Sequence, residues 1–294
     1  MDTSICIVSK NRKDDLDKTL SILKDITDIS EILVFLDGCT DNSSSLKIKY
    51  PQVKWYGSEK SIGASPARKH IYAEATGELL FGFDDDAHPL NNNFVELAKR
   101  IFSERSSVAV LAFEEIKGIF ENDALALEKH SANEEFLCNS FVGCGFVIRK
   151  DAYHKTGGFP DWMDIYGEEG AVSIELLDSG YDILYTSQIS VNHRVDRSIR
   201  KSNRMNVFRF ERQLCNMGMY FIIYYPITLL PKKLLKLFFH NFFKYGIIDS
   251  YFFWAYLKGT FTLLSKLPLA IKHRKKVSSK TIAKINKLPH PKYG

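Results

Sequence analysis

A chain of 294 residues that is 45% hydrophobic and 26% charged can bury a sizeable core and is not a disordered protein. Its net charge of +5 hides an asymmetry: residues 200–294 hold 19 Lys and Arg against two acids, Glu211 and Asp249, whereas residues 1–199 hold 21 basic and 33 acidic side chains. Such polarity predicts two jobs on two surfaces, with an anionic partner for the basic end.

The five cysteines, Cys6, Cys39, Cys138, Cys144 and Cys215, include no C-x-x-C pair. They suggest neither a disulfide framework nor a zinc site, and are read as reduced thiols. Ile5 to Val8 is too short an apolar run, with too acidic a flank, for a secretory signal. The chain is therefore expected in the cytoplasm.

Residues 1–84 read as alternating strands and helices. Ser4 to Ser9 is a buried-strand pattern, and Asp14 to Lys24 places Leu16, Leu20 and Leu23 on one helical face. Glu31 to Leu36 is a second strand ending at Asp37-Gly38, Asp41 to Ile48 a short helix, and Val53 to Tyr56 a third strand. Ser65 to Ala75 is a helix with Pro66 in its first turn and Gly77 beyond its end. Glu78 to Phe83 is a fourth strand running into Asp84-Asp85-Asp86. This alternation predicts a parallel sheet with its ligands at the carboxyl ends of the strands.

Further on, Phe94 to Phe102 suits a helix, Val108 to Phe113 and Phe141 to Ile148 suit strands, and Gly157 to Pro160 is a turn. Glu168 to Leu177 reads as a helix, followed by strands at Tyr181 to Tyr185 and Ile189 to His193. After about residue 200 the texture turns aromatic and basic. Gln213 to Pro231 carries no charge over 19 residues, but Asn216, Gly218 and Pro226 interrupt it and its dense apolar part, Met217 to Leu230, is 14 residues long. That length favours an interfacial or buried segment over a bilayer span. Leu234, Leu235, Phe238, Phe239, Phe242 and Phe243 recur at helical spacing among Lys232, Lys233, Lys236 and Lys244, the pattern of a helix lying in a headgroup region.

Three consecutive carboxylates repel one another unless a cation sits among them. If the strand geometry continues, Asp84 and Asp86 face one site and Asp85 points elsewhere. Oxygen ligands of this kind suit Mg²⁺ or Mn²⁺ shared with substrate phosphates. Asp37 ends a neighbouring strand on the same rim and can accept from a base N–H. Gly63, Arg68 and Lys69 stand at a loop and helix start that can meet a pyrophosphate.

Taken in order, Ser4 to Arg12, Glu31 to Asn42, Ile62-Gly63 with Ala67-Arg68, Phe83 to Pro89, Gly157-Gly158-Phe159, Tyr166 to Glu169 and Val191 to His193 resemble the family 2 inverting glycosyltransferases of GT-A fold. The resemblance covers roughly residues 3–195. It implies a Rossmann-like, mostly parallel α/β catalytic domain over 1–199, its nucleotide half about 1–90 and its acceptor half about 91–199. Residues 200–294 then form a helical, basic, membrane-associating extension. It further implies a nucleotide site of Ser9, Asn11, Arg12, Asp37, Gly63, Arg68, Asp84 and Asp85, a metal held by Asp84, Asp86 and His193, and a general base in the acidic pair, Glu169 by position with Glu168 as the fallback. Three positions depart from the pattern: Leu36 stands where many members carry a second Asp, Glu169 where Asp is common, and Ala171 where an acid is common.

The implied chemistry is a single displacement. The metal neutralises the leaving diphosphate, and Glu169 takes a proton from an acceptor hydroxyl attacking the anomeric carbon from the opposite face. The expected partners are a nucleotide-diphosphate sugar, a glycan or lipid-linked glycan acceptor, and an anionic membrane surface met peripherally. Nucleic acid is not expected, since the tail is lipid-like in its Phe and Leu content. The rival reading is a non-catalytic nucleotide-sugar-binding module docked at a membrane.

Overall fold

β1 (Thr3–Ser9), β2 (Glu31–Asp37), β3 (Lys54–Ser58) and β4 (Leu79–Asp84) pair in parallel in the order β3-β2-β1-β4. β1, β2 and β4 are buried along nearly their whole length, so both faces of each strand need apolar side chains. The two-residue period sends Ile5, Ile7, Phe81 and Phe83 to a core shared with α1 (Lys13–Leu23) and α4 (Phe94–Glu104). Cys6, Leu33 and Leu80 go to an opposite core shared with α3 (Ala64–Glu74) and α7 (Glu168–Asp178). The computed structural model of the chain describes residues 1–195 and 203–292, with side chains of the second segment described from residue 206.

The sheet continues through β8 (Gly145–Arg149), β6 (Val108–Lys117), β9 (Asp182–His193) and β5 (Ala87–Pro89), with β7 (Glu135–Leu137) pairing with β9 at the same level. β8 runs antiparallel to β4 and β6, while β6 and β9 are parallel. Among the described residues this is a nine-stranded mixed sheet with helices on both faces, the arrangement that the GT-A resemblance implied.

Three local expectations change. The two strands foreseen at 181–193 are one, because a register shift after Phe113/Thr186 lets residues 187–189 bulge out before Ser190 rejoins β6. The strand foreseen from Phe141 starts at Gly145, because the preceding loop turns toward the site, where the Gly143 carbonyl accepts from Arg68. The helix foreseen at 41–48 is a 3₁₀ turn, Asn42–Ser45, then one α turn, α2 (Leu46–Lys49), with the Asp41 side chain capping the Ser43 N–H at 3.1 Å. Short α5 (Asp123–Leu127) and α6 (Lys150–Tyr153) complete the first two-thirds of the chain.

The C-terminal helices are α8 (Asn203–Tyr224), α9 (Leu230–Asn241) leading into a π turn (Phe242–Gly246), α10 (Ser250–Ser265), α11 (Leu267–Lys272) and α12 (Ser279–Lys287). Cys215, Met219 and Ile223 of α8, with Leu263, Ala270 and Ile282, share a buried cluster with Trp162, Met163, Ala171 and Ile174. Buried Glu175 of α7 ties the two parts together, accepting from Tyr224 Oη at 2.8 Å, Lys275 Nζ at 2.5 Å and the Gly157 N–H at 2.7 Å. The uncharged stretch from Gln213 is thus largely buried against protein, and among the described residues no helix is long and apolar enough to cross a membrane. α9 and α10 behave differently. Phe238 and Phe242 pack edge-on against Tyr256, whereas Leu235, Phe239, Phe243, Trp254 and Phe261 are 57–73% exposed.

Candidate active site

Arg68, on α3, is the centre of one charged knot. Its Nη2 donates to Asp84 Oδ1 at 2.6 Å, and its Nη1 donates to Glu168 Oε1 at 2.8 Å and lies 3.4 Å from Glu169 Oε1. Asp84 ends β4, and the two glutamates open α7, where negative charge suits the first turn. The chain enters α7 through Tyr166 and Gly167, both with positive φ, of 72° and 111°. Asn216 of α8 donates to the Ile165 carbonyl at 2.7 Å and the Tyr166 carbonyl at 3.1 Å, which holds that turn in place.

Both carboxyls of the pair bind a proton more tightly than ordinary glutamates, which makes each a stronger base once it is deprotonated. Burial raises the Glu169 carboxyl to about 8, adjacent Glu168 adds to the rise, and Arg68 opposes it. Glu168 is raised as well, by burial first and against Arg68, and its Oε2 is buried with no hydrogen-bond partner. Both shifts follow from placing two carboxyls beside one guanidinium.

The second knot is centred on Arg12 and His193. Arg12 Nη1 bridges Asp85 Oδ1 at 3.1 Å and Asp86 Oδ2 at 2.6 Å, and Ser9 Oγ donates to Asp85 Oδ2 at 2.7 Å. Asp85 therefore points back toward β1, and burial lifts its carboxyl to about 7 against the pull of Arg12. β4 stops at Asp84, and Asp85 and Asp86 lie in the turn before β5, yet Asp86 swings round to His193 at the end of β9. His193 Nε2 lies 3.2 Å from Asp86 Oδ1, and its Nδ1 lies 2.5 Å from Glu115 Oε1 on β6. Burial works against a charged His193, but the bonds to Asp86, Cys144 and Glu115 push it up to about 12, so a cation held by Asp84, Asp86 and His193 would have to displace the proton on Nε2.

Among the described residues, two groups of side chains have a metal-ligating layout: Asp84, Asp86 and His193, and Glu115, Cys144 and His193, each with one ligand atom apiece within 4.8 Å of the others. The first group fits a divalent cation better. Asp86 Oδ1 is buried and faces only His193 Nε2, at 3.2 Å, and the Asp84 side chain is 30% exposed toward the cleft. In the second group burial raises the Cys144 thiol to about 12, far from the thiolate a metal needs, and Glu115 already orients His193. A carboxylate behind a ligating imidazole is the usual outer support for such a site.

The remaining nucleotide-site candidates lie further along the rim. Asn11, at φ 55°, accepts from the Thr40 N–H at 2.7 Å and joins the ends of β1 and β2. Asp37 is buried and accepts from Ser61 Oγ at 2.6 Å, the Ile62 N–H at 2.6 Å and the Gly63 N–H at 3.1 Å, so its carboxylate first of all anchors the loop before α3. Gly63 has φ 99°, and a Cβ there would sit 2.8 Å from the Asp164 backbone. Ser9, Arg12, Asp84, Asp85, Asp86 and His193 are thus brought together, Arg68 joins Asp84 to the glutamates, and Asn11, Asp37 and Gly63 brace the adjoining loops.

Sequence reasoning missed Glu115 and Gly143. Glu115 sits in an apolar strand with no motif around it. A Cβ on Gly143 would lie 2.4 Å from Glu169 Oε1 and 2.8 Å from Arg68 Nη2. The only signal for either was chemical: an acid in a buried strand and a glycine in the Val142 to Gly145 run.

A parallel half-sheet with a carboxylate turn at the end of β4 and an acidic pair at a facing helix start make up a glycosyltransferase fold. The chain belongs to glycosyl transferase family 2, whose family model matches residues 4–157. An uncharacterised protein of Haemophilus influenzae is 24% identical over 137 residues, covering 44% of this chain and 71% of that protein. Among solved structures, GalNAc-T7 with UDP, GalNAc and Mn²⁺ superposes with a TM-score of 0.64 at 16% identity, over 97% of this chain, which spans 56% of that one. The mannosyltransferase PcManGT of Pyrobaculum calidifontis, with GDP-Man and Mn²⁺, gives 0.59 at 14% identity, over 97% of this chain and 78% of that one. TarS 1-349 of S. aureus with UDP-GlcNAc gives 0.59 at 15% identity, over 96% and 83%.

Proposed function

We propose that the protein is a metal-dependent, inverting hexosyltransferase that moves a sugar from a nucleotide-diphosphate donor to a hydroxyl of a glycan or lipid-linked acceptor. The observation that carries this reading is the convergence of Asp84, Asp86 and His193 beside an acidic pair with raised pKa. Catalysis belongs to residues 1–199 and membrane contact to residues 200–294, placing the enzyme peripherally on the cytoplasmic face in surface polysaccharide or glycolipid assembly.

Asp84, Asp86 and His193 would hold Mn²⁺ or Mg²⁺, a choice supported by their oxygen-rich donor set and by the Mn²⁺ in GalNAc-T7 and PcManGT. When bound, such an ion offsets charge on a leaving diphosphate. Glu115 holds His193 with Nε2 toward Asp86. Arg12, shared between Asp85 and Asp86, and Arg68, shared between Asp84 and the glutamates, bring positive charge to the same rim for donor phosphates. Glu169, the more exposed of the pair at 20% for its side chain, accepts the acceptor's proton. Glu168, 4% exposed and bonded to Arg68, sets the charge around it.

The test is turnover of the full chain with a panel of nucleotide sugars, with and without Mn²⁺, in wild type and Asp86→Asn. The substitution removes an anionic ligand and keeps the shape, so metal-dependent turnover should vanish while the thermal transition without metal stays near wild type. Unchanged activity in the variant, or in wild type under excess chelator, would sink the metal assignment.

A further inference from the structure

A cavity of about 1320 Å³ opens from the Arg68 knot and runs between the sheet domain and the C-terminal helices. Arg68, Asp84, Glu169 and His193 line its inner end. The volume exceeds the roughly 300–1,000 Å³ of an ordinary small-molecule pocket, leaving room for an extended molecule beyond the reacting sugar.

The helices present selected stripes to this cavity. α8 contributes Arg209, Gln213, Met217 and Phe221, each one turn after the last, and α9 contributes Lys233, Leu237, His240 and Asn241. Leu235 and Phe239 lie on the other, solvent-facing side of α9. Two cavity cations rest on aromatic rings: Arg209 lies 5.0 Å from the centre of Tyr166, and Lys233 lies 5.1 Å from Tyr225 and 5.8 Å from Phe221. Other basic residues of the same bundle have acidic partners, Arg212 with Asp164 at 3.2 Å and Lys258 with Glu211 at 3.1 Å. Among the described residues neither Arg209 nor Lys233 forms an ion pair. Burial, then Lys236 and Lys232, lowers the pKa of Lys233, as expected of a cation short of counter-charge.

We infer that the cavity binds the acceptor, an amphiphile carrying a phosphate between an apolar chain and a hydroxyl-bearing head. Its phosphate meets Lys233 and Arg209, its chain lies along Phe221, Leu237 and Phe252, and its head reaches Glu169. The inference rests on the glycosyl-transfer reading and names the acceptor class. The acceptor O–H would attack the anomeric carbon, the bond from that carbon to the diphosphate would break with its electron pair leaving on the nucleotide, and the proton would pass to Glu169. The geometry favours an amphiphile over a free anion because the cations sit among aromatic side chains.

The test uses the full chain and farnesyl phosphate below its aggregation concentration, with farnesol and inorganic phosphate as separate arms, and nucleoside diphosphate binding with Mn²⁺ as an independent reading. Wild type should bind farnesyl phosphate at least about tenfold more tightly than either comparison compound. Lys233→Ala combined with Arg209→Gln should weaken it by about tenfold or more, the usual size of a lost charge-assisted contact. Nucleotide binding should stay unchanged in that variant, which also reports its folding, and Phe239→Ser on the outer face should keep farnesyl phosphate affinity. Equal affinity in wild type and the double variant, equally tight farnesol, or full competition by equimolar inorganic phosphate would overturn the assignment. Loss of nucleotide binding from wild type with farnesyl phosphate binding intact would count against the donor reading and leave the cavity assignment standing.

Discussion

At the scale of single residues, the acidic pair is where burial and charge oppose each other most directly. Glu169→Gln keeps the shape and removes the proton acceptor, so turnover should fall by about 10² to 10⁴ with donor affinity nearly unchanged. Near-wild-type turnover in Glu169→Gln together with an inactive Glu168→Gln would move the base to Glu168. The pH profile gives a second reading. A base must be deprotonated, and burial and then Glu168 raise the Glu169 carboxyl above the ordinary range, so kcat/KM should fall toward acid at a higher pH than an ordinary carboxylate would give. Glu168→Gln removes a neighbouring negative charge and frees Arg68 for Glu169, and both changes favour the carboxylate. The acid limb should therefore move to lower pH, and an unmoved or raised limb would show that the two carboxyls do not interact as their spacing implies.

At the scale of elements, the site depends on loops held by their neighbours. The 139–144 loop brings Gly143 against Glu169 and Arg68 with no room for a methyl group. The atoms in the way are ends of side chains, so Gly143→Ala should fold and displace the carboxylate and the guanidinium. We expect kcat to fall about 10-fold or more, the scale of cost set by small misplacement of a reacting group, with a melting temperature within a few degrees of wild type. Full activity in Gly143→Ala would show that the knot relaxes freely. The strands now seen as β6 and β8 and the helix α7 were readable from period and turn residues, whereas the short α5, β7 and α6 around this loop were not. The bulge in β9 and the late start of β8 were not, because each reflects a partner strand or side chain distant in the chain.

At the scale of the whole molecule, the basic end has two faces. One is buried with Trp162, Met163 and α7, so cutting the chain near residue 200 would expose that cluster and confuse binding with unfolding. Substitution on the exposed face is the cleaner test of membrane contact. Phe239→Ser with Phe243→Ser and Trp254→Ser should weaken binding to vesicles of about 30% anionic phospholipid by tenfold or more, since each buried aromatic contributes on the order of 1–3 kcal/mol. Wild-type binding should fall as salt screens the lysines, each contributing about 1 kcal/mol near an anionic leaflet. Equal vesicle binding by the triple variant would remove this face from the interface.

Local order in the sequence carried a great deal. Alternating strands and helices, the Asp84 to Asp86 turn at a strand end and the Glu168-Glu169 pair at a helix start depend on near neighbours along the chain, so they are legible without tertiary structure. Glu115 behind His193, Asp37 turned to its own loop and the split of the four phenylalanines into two packed and two exposed are not. They are settled by strand pairing and helix packing between residues far apart in sequence. Only the folded chain brings β6 beside β9, α8 onto α7 and α9 beside the cleft at Arg68, so which charge meets which partner was left to tertiary structure.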